Sequence, residues 1–125
     1  MNLEHVALNI ADLKEIESFY CEILGMSEIR HFVLDKNLAR EIFSIEKETT
    51  VFQLKKNEIV LEIFLIPERF ENGFSHLCIS ISDREEIANK ADQNGYSCMH
   101  LKRGNSDMIF IKDKSGNIFE LKQRI

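Results

Sequence analysis

Alternation of apolar and polar positions is the first signal in this chain, and it occurs twice. In residues 2–10, NLEHVALNI, Val6, Leu8 and Ile10 fall on one side of a strand while His5, Ala7 and Asn9 fall on the other. Residues 74–82, FSHLCISIS, behave likewise, with Leu77, Ile79 and Ile81 opposite His76, Cys78, Ser80 and Ser82. One constant offset places His5 on His76, Leu8 on Ile79, Ile10 on Ile81, Asp12 on Asp83, Glu15 on Glu86 and Ile16 on Ile87. The chain reads as a duplication. Each histidine stands on a face whose other members are small or polar, which is how a cleft is lined.

The rest of the pattern fills in the two copies. Asp12 is placed to cap a helix with apolar positions Leu13, Ile16, Phe19, Tyr20, Ile23 and Leu24, stopped by Gly25. Residues 27–34 predict a strand, with Ile29, His31 and Val33 on one side. Residues 35–45 fit a short helix on Leu38, Ile42 and Ile45 better than a strand. Two β-rich runs, 49–54 and 59–66, are separated by Lys55, Lys56, Asn57 and Glu58 and predict a hairpin. Pro67 and the residues up to Gly73 end the first half. The second half then predicts a strand at 74–81, a helix from Asp83 to Asn94 stopped by Gly95, and strands at 97–102, 108–112 and 117–122. A turn, Asp113-Lys114-Ser115-Gly116, joins the last two. The expected class is α+β: a single domain of two βαβββ modules, 1–67 and 74–125, paired around a cleft in a curled mixed sheet. One module alone leaves a sheet face uncovered, so two must pair within a chain or between chains, and a homodimer is expected.

The last strand of each module carries an acid that alternation does not require: Glu62 in IVLEIFLI and Glu120 in NIFELKQ. A carboxylate in so apolar a strand is costly to bury unless it is paired or binds a metal. If first and last strands are neighbours and the modules face each other, His5, Glu62, His76 and Glu120 converge. Two imidazoles and two carboxylates suit one divalent ion per site, nickel, cobalt, zinc, iron or manganese, with positions left for water or substrate oxygens. Taken singly, a strand histidine is more often structural and a strand glutamate more often solvated; recurrence at equivalent places in two copies favours the metal reading. His31 and His100 lack a counterpart and read as surface residues. Glu41 and Glu46 read as solvated, and Met26, Met99 and Met108 as core ahead of pocket lining. Asn9, Phe64, Ser80 and Arg103, with the loop near Phe70, are the candidate substrate-binding positions.

Composition narrows the partners. The chain has 125 residues, 44% of them hydrophobic, enough for one respectable core or two small ones sharing an interface. Its net charge is -5 and the 16 basic residues are spread along the chain, which argues against nucleic acid. The longest apolar run, 59–66, is broken by Glu62 and far too short for a membrane span. No leader pattern opens the chain, so a cytoplasmic location is expected. Cys21, Cys78 and Cys98 are odd in number and lack C-x-x-C spacing, against a disulfide framework or zinc ribbon; Cys78 is expected to pack as a small hydrophobe.

HVALNI-x-DL at the start, FY-x-x-ILGM after it, HLCISI before the second helix and D-x-x-GNIFEL at the end resemble the vicinal oxygen chelate superfamily. That superfamily contains glyoxalase I, methylmalonyl-CoA epimerase, extradiol dioxygenases, fosfomycin-resistance enzymes and bleomycin-resistance proteins. The resemblance covers nearly the whole chain and implies metal ligands at His5, Glu62, His76 and Glu120. The two-histidine, two-glutamate set is most similar to bacterial glyoxalase I; epimerases commonly have glutamine at the place of Glu62, and dioxygenases use a triad. Asn9 stands where glyoxalase I typically has an arginine, and the chain has no tryptophan. The resemblance implies a lyase or isomerase acting on a small substrate with adjacent oxygens through a metal-stabilised enediolate, with Glu62 and Glu120 as candidate bases and Glu120 preferred. The other classes weighed are a non-catalytic small-molecule binding protein and, third, an iron extradiol dioxygenase.

Overall fold

In a computed structural model that describes residues 3–68, 76–103 and 105–124, apart from the side chains of Phe43, Arg103 and Ser106, the chain forms two compact units, Met1–Arg69 and Phe70–Ile125. Each is built on a four-stranded mixed sheet, giving the expected α+β class.

The first unit contains β1 (Val6–Ile10), β2 (Ser27–Leu34), β3 (Thr49–Lys56) and β4 (Ile59–Leu65) in the order β1-β4-β3-β2. The first and last strands are parallel neighbours, with Ala7 opposite Glu62 and Asn9 opposite Phe64. The second unit repeats this with β5 (Leu77–Ile81), β6 (Cys98–Arg103), β7 (Ser106–Lys112) and β8 (Ile118–Gln123) in the order β5-β8-β7-β6, and Cys78 lies opposite Glu120. Both parallel ladders are extended past the strand end: Ile66 N donates to Ile10 O at 2.8 Å, and Arg124 N to Ile81 O at 2.8 Å. The duplication is therefore visible in hydrogen bonds as well as in sequence.

Strand alternation sorts the side chains as the pattern predicts. In the second unit Ile109, Ile111, Phe119 and Leu121 are fully buried on the face crossed by α2 (Arg84–Gln93), whose Ile87, Ala88 and Ala91 are buried too. At roughly 1.5–3 kcal/mol for each large apolar side chain removed from water, this layer is the unit's main source of stability. Gly95 ends α2 with φ +82°, as expected of a residue free to take the left-handed conformation. The buried Asp113 carboxylate closes the β7–β8 turn, accepting from Ser115 N, Asn117 N and Asn117 Nδ2.

Several expectations are corrected. The helix after β1 is a short π-helix, Ile16–Cys21, with i+5 bonds from Glu22 N to Glu17 O and from Leu24 N to Phe19 O, both 3.0 Å. The wider turn buries Phe19 and Tyr20 side by side and leaves Leu13 more than half exposed, so Leu13 is not part of the apolar stripe. Asp12 accepts from Lys14 N at 3.0 Å in the turn ahead of this helix, whose N-cap position is Glu15; Asp83 stands at the N-cap of α2, as expected, but makes no side-chain cap hydrogen bond. The helix expected in residues 35–45 exists as α1 (Lys36–Phe43), capped by Asp35 accepting from Leu38 N at 2.9 Å, but it buries Ala39 rather than Leu38 and Ile42. Ala39 and Ile45 pack with Val51, Phe64 and Ile66, flanked by Phe32 and Leu34. The first unit thus has a helix on the Glu62 face of its sheet that has no counterpart among the described residues of the second. The β3–β4 connection is a two-residue turn on Asn57 (φ 54°) and Glu58, with Lys55 and Lys56 inside β3, rather than a four-residue loop. The expected beginnings of the first strands, Asn2 and residues 74–75, lie outside the described residues.

Candidate metal centre

His5 precedes β1 and lies two residues before Ala7, which faces Glu62; His76 precedes β5 and lies two residues before Cys78, which faces Glu120. Alternation therefore puts each histidine and glutamate on one sheet face. His5 Nε2 is 3.3 Å from Glu62 Oε1, and His76 Nε2 is 3.5 Å from Glu120 Oε1. In both pairs the imidazole is open to solvent while the carboxylate is 13–15% exposed.

The spacing fits a shared ion. Two donors at about 2.0–2.2 Å from a divalent metal, at neighbouring positions, are themselves roughly 3.0–3.5 Å apart. An imidazole nitrogen with a carboxylate oxygen is a donor set such ions accept. Among the described residues no group of three or more His, Cys, Asp and Glu side chains is gathered to hold a metal; each unit by itself presents a pair of candidate donors.

The two pairs differ in what surrounds them. Gln53 on β3 is opposite Glu62, and its Nε2 donates to Glu62 Oε2 at 2.9 Å. Arg30 Nε in turn donates to Gln53 Oε1 at 3.1 Å. A β-bulge in β2, with Ile29 as the extra residue, brings Arg30 opposite Gln53. In the second unit Phe110 is opposite Glu120, its ring edge-on to His76 with centroids 6.2 Å apart. Cys78 is exposed and lies opposite Glu120, so it is a neighbour of that glutamate and not a buried hydrophobe. Partial burial, then the charge of Glu120, pushes this thiol above the usual range.

Of the substrate positions expected from sequence, Ser80 lies exposed on the Glu120 face and Asn9 half-buried on the Glu62 face. Phe64 is corrected: it is 4% exposed, sealed in the core under α1, and unable to line an open cleft. The side chain of Arg103, Gly104 and the loop near Phe70 lie outside the described residues. Met99 is 40% exposed on the Phe110 face rather than in the core, whereas Met26 is buried. His31 and His100 are exposed, as expected. Gln53 and Arg30 are the site residues that sequence reasoning missed. A two-residue turn at Asn57-Glu58 sets Gln53 against Glu62 by counting, so the signal was there; Arg30 depends on the bulge.

Residues 2–121 match the family model of the Glyoxalase/Bleomycin resistance protein/Dioxygenase superfamily. The chain belongs to this superfamily. Among curated relatives, a probable lactoylglutathione lyase of Synechocystis is 28% identical, over 98% of this chain and 95% of that protein. The lactoylglutathione lyase GLX1 of Arabidopsis thaliana is 26% identical over 96% of the chain, which spans only 43% of that relative's length. Among solved structures, a fosfomycin resistance protein, FosX, of Listeria monocytogenes superimposes with TM-score 0.75 at 16% identity, covering 100% of this chain and 94% of that one. The trypanothione-dependent glyoxalase I of Leishmania major does so with TM-score 0.73 at 20% identity, covering 98% and 86%. An E126Q form of the Listeria protein is known in complex with Mn(II) and 1S,2S-dihydroxypropylphosphonic acid. No helix among the described residues is long and apolar enough to cross a membrane.

Proposed function

We propose that this protein is a divalent-metal-dependent lyase or isomerase of the glyoxalase I type, acting on a small substrate with adjacent oxygens. The observation that carries the reading is the duplicated pair, His5 with Glu62 at 3.3 Å and His76 with Glu120 at 3.5 Å. The four side chains would serve as ligands of a divalent ion. A bound ion would supply Lewis acidity to the substrate's two oxygens and so favour loss of a proton from the hydroxyl-bearing carbon next to the carbonyl.

The chain's own groups divide the remaining work. Glu62 has one oxygen occupied by Gln53 and is the fixed ligand. Glu120 faces Phe110 instead of an amide, so it is assigned the base that takes a proton from one carbon and returns it to the next. Exposed Met99 and Leu101, on the same face of the second sheet, offer apolar surface to the substrate's carbon skeleton.

The experiment is metal analysis of untagged protein prepared without chelator, followed by a screen of 2-oxoaldehyde–thiol adducts, acyl-CoA epimers and fosfomycin. About one metal per site, lost in His5→Ala/His76→Ala, is expected. Glu120→Gln should keep metal and lose turnover by a factor on the order of 10²–10⁴. Unchanged turnover removes Glu120 from the mechanism. Failure to take up metal after reconstitution overturns the enzyme reading in favour of a binding protein, which would return its ligand unaltered.

A further inference from the structure

We infer that Gln53 is a positioning residue that holds Glu62 to coordination through a single oxygen, and that Arg30 locks Gln53 for this task. The inference rests on the functional reading above and concerns how that site is built.

The chain of contacts fixes its own polarity. A guanidinium has only donors and an ionised carboxylate only acceptors. The amide between them must turn its oxygen to Arg30 Nε, at 3.1 Å, and its nitrogen to Glu62 Oε2, at 2.9 Å. Flipping it would face like with like at both ends, so Gln53 has one workable orientation. Glu62 Oε2 is thereby held toward Gln53, and Oε1, on the His5 side at 3.3 Å, is the oxygen presented to an ion.

The second unit serves as an internal control. The same fold places Phe110 where Gln53 stands and Met99 where Arg30 stands, opposite Phe110. The architecture therefore does not require polar residues at these two positions. Both units carry a glutamate at this register, so the amide and guanidinium beside Glu62, brought into line by the bulge at Ile29, distinguish the first carboxylate from the second. Partners of this kind orient a ligand before the metal arrives, and losing one typically weakens metal binding by about 10–100-fold.

The test titrates metal-free wild type, Gln53→Met, Arg30→Met and the double variant with Co2+, competed by Zn2+, and records the urea midpoint of each metal-free protein. Methionine keeps the bulk of glutamine and cannot donate. Gln53→Met should weaken Co2+ binding by about 10–100-fold, and Arg30→Met by less. The Arg30→Met loss should vanish in the Gln53→Met background, because Arg30 acts only through Gln53. Losses that add, or a Gln53→Met protein that binds as tightly as wild type, overturn the inference. A loss matched by a lowered urea midpoint would reassign the contact to folding and also overturn it. Glu62→Ala separates the two levels: if it binds metal like wild type, the metal reading has failed; if it loses metal while Gln53→Met does not, only the positioning role has failed.

Discussion

Gln53 and Phe110 occupy the same register position in the two sheets, each directly opposite the glutamate of the last strand. One donates a hydrogen bond to its glutamate and the other presents a ring to the neighbouring histidine. Phe110→Gln should therefore make the second pair resemble the first, occupying an oxygen of Glu120. Metal affinity is expected to hold or rise while turnover falls by about tenfold or more, because the base has lost freedom. Measuring Co2+ affinity and kcat on one preparation checks this; a variant with full turnover would show that Glu120 needs no such freedom.

Single variants report which chains supply the donors. His5→Ala chains retain His76, and His76→Ala chains retain His5. If a site is shared between two chains, mixing equal amounts of the two variants under conditions that allow exchange should restore metal to about a quarter of the sites, one of the two in each mixed dimer. If it is built within one chain, mixing restores none. Metal analysis of the mixture, with each variant alone as baseline, decides the matter.

The α1 helix of the first unit makes an unusual stability forecast. Ala39 is fully buried against Val51 and Phe64, while Leu38 is 48% and Ile42 60% exposed. Leu38→Lys and Ile42→Lys should each change unfolding free energy by no more than about 0.5 kcal/mol. Ala39→Leu, though apolar and a good helix former, should cost about 1–3 kcal/mol by overpacking. Urea melts of the three variants check the ranking.

Two thiols away from the metal centre should be slow. Cys21 is pushed up by partial burial and then by Glu17, Glu28 and Glu22; Cys98 is pushed up by burial and then by Asp92 and Glu85. A raised thiol carries less thiolate at a given pH, and the thiolate is the nucleophile. Alkylation of both by iodoacetamide at pH 8 should be slower than that of free cysteine, should keep rising past the pH where free cysteine levels off, and should normalise in urea. Mass spectrometry of each peptide follows it.

The sequence carried the two modules and their histidine–glutamate pairs because these rest on short-range regularities: strand alternation, a repeated offset and carboxylates out of place in apolar strands. It carried less of what depends on how strands slide past one another. Counting across Lys55 to Glu58 as a four-residue loop sets Val51 against Glu62, and only the tight Asn57 turn restores Gln53 to that place. The bulge at Ile29 shifts the register again within β2, which no alternation pattern announces. The face chosen by α1 was misjudged because Leu38 and Ile42 are more hydrophobic than Ala39, yet only a methyl-sized residue lets the helix approach the sheet closely.

That helix divides the two copies in their capacity for change. By register, Phe32, Val51 and Phe64 in the first sheet correspond to Leu101, Met108 and Lys122 in the second. The first three pack in or against the cluster that α1 closes, so truncating Val51 or Phe64 removes core contacts. Their counterparts are exposed or half-exposed. New specificities can therefore be explored in one copy while the other conserves the scaffold, which is the division of labour that makes a gene duplication a productive starting point for evolution.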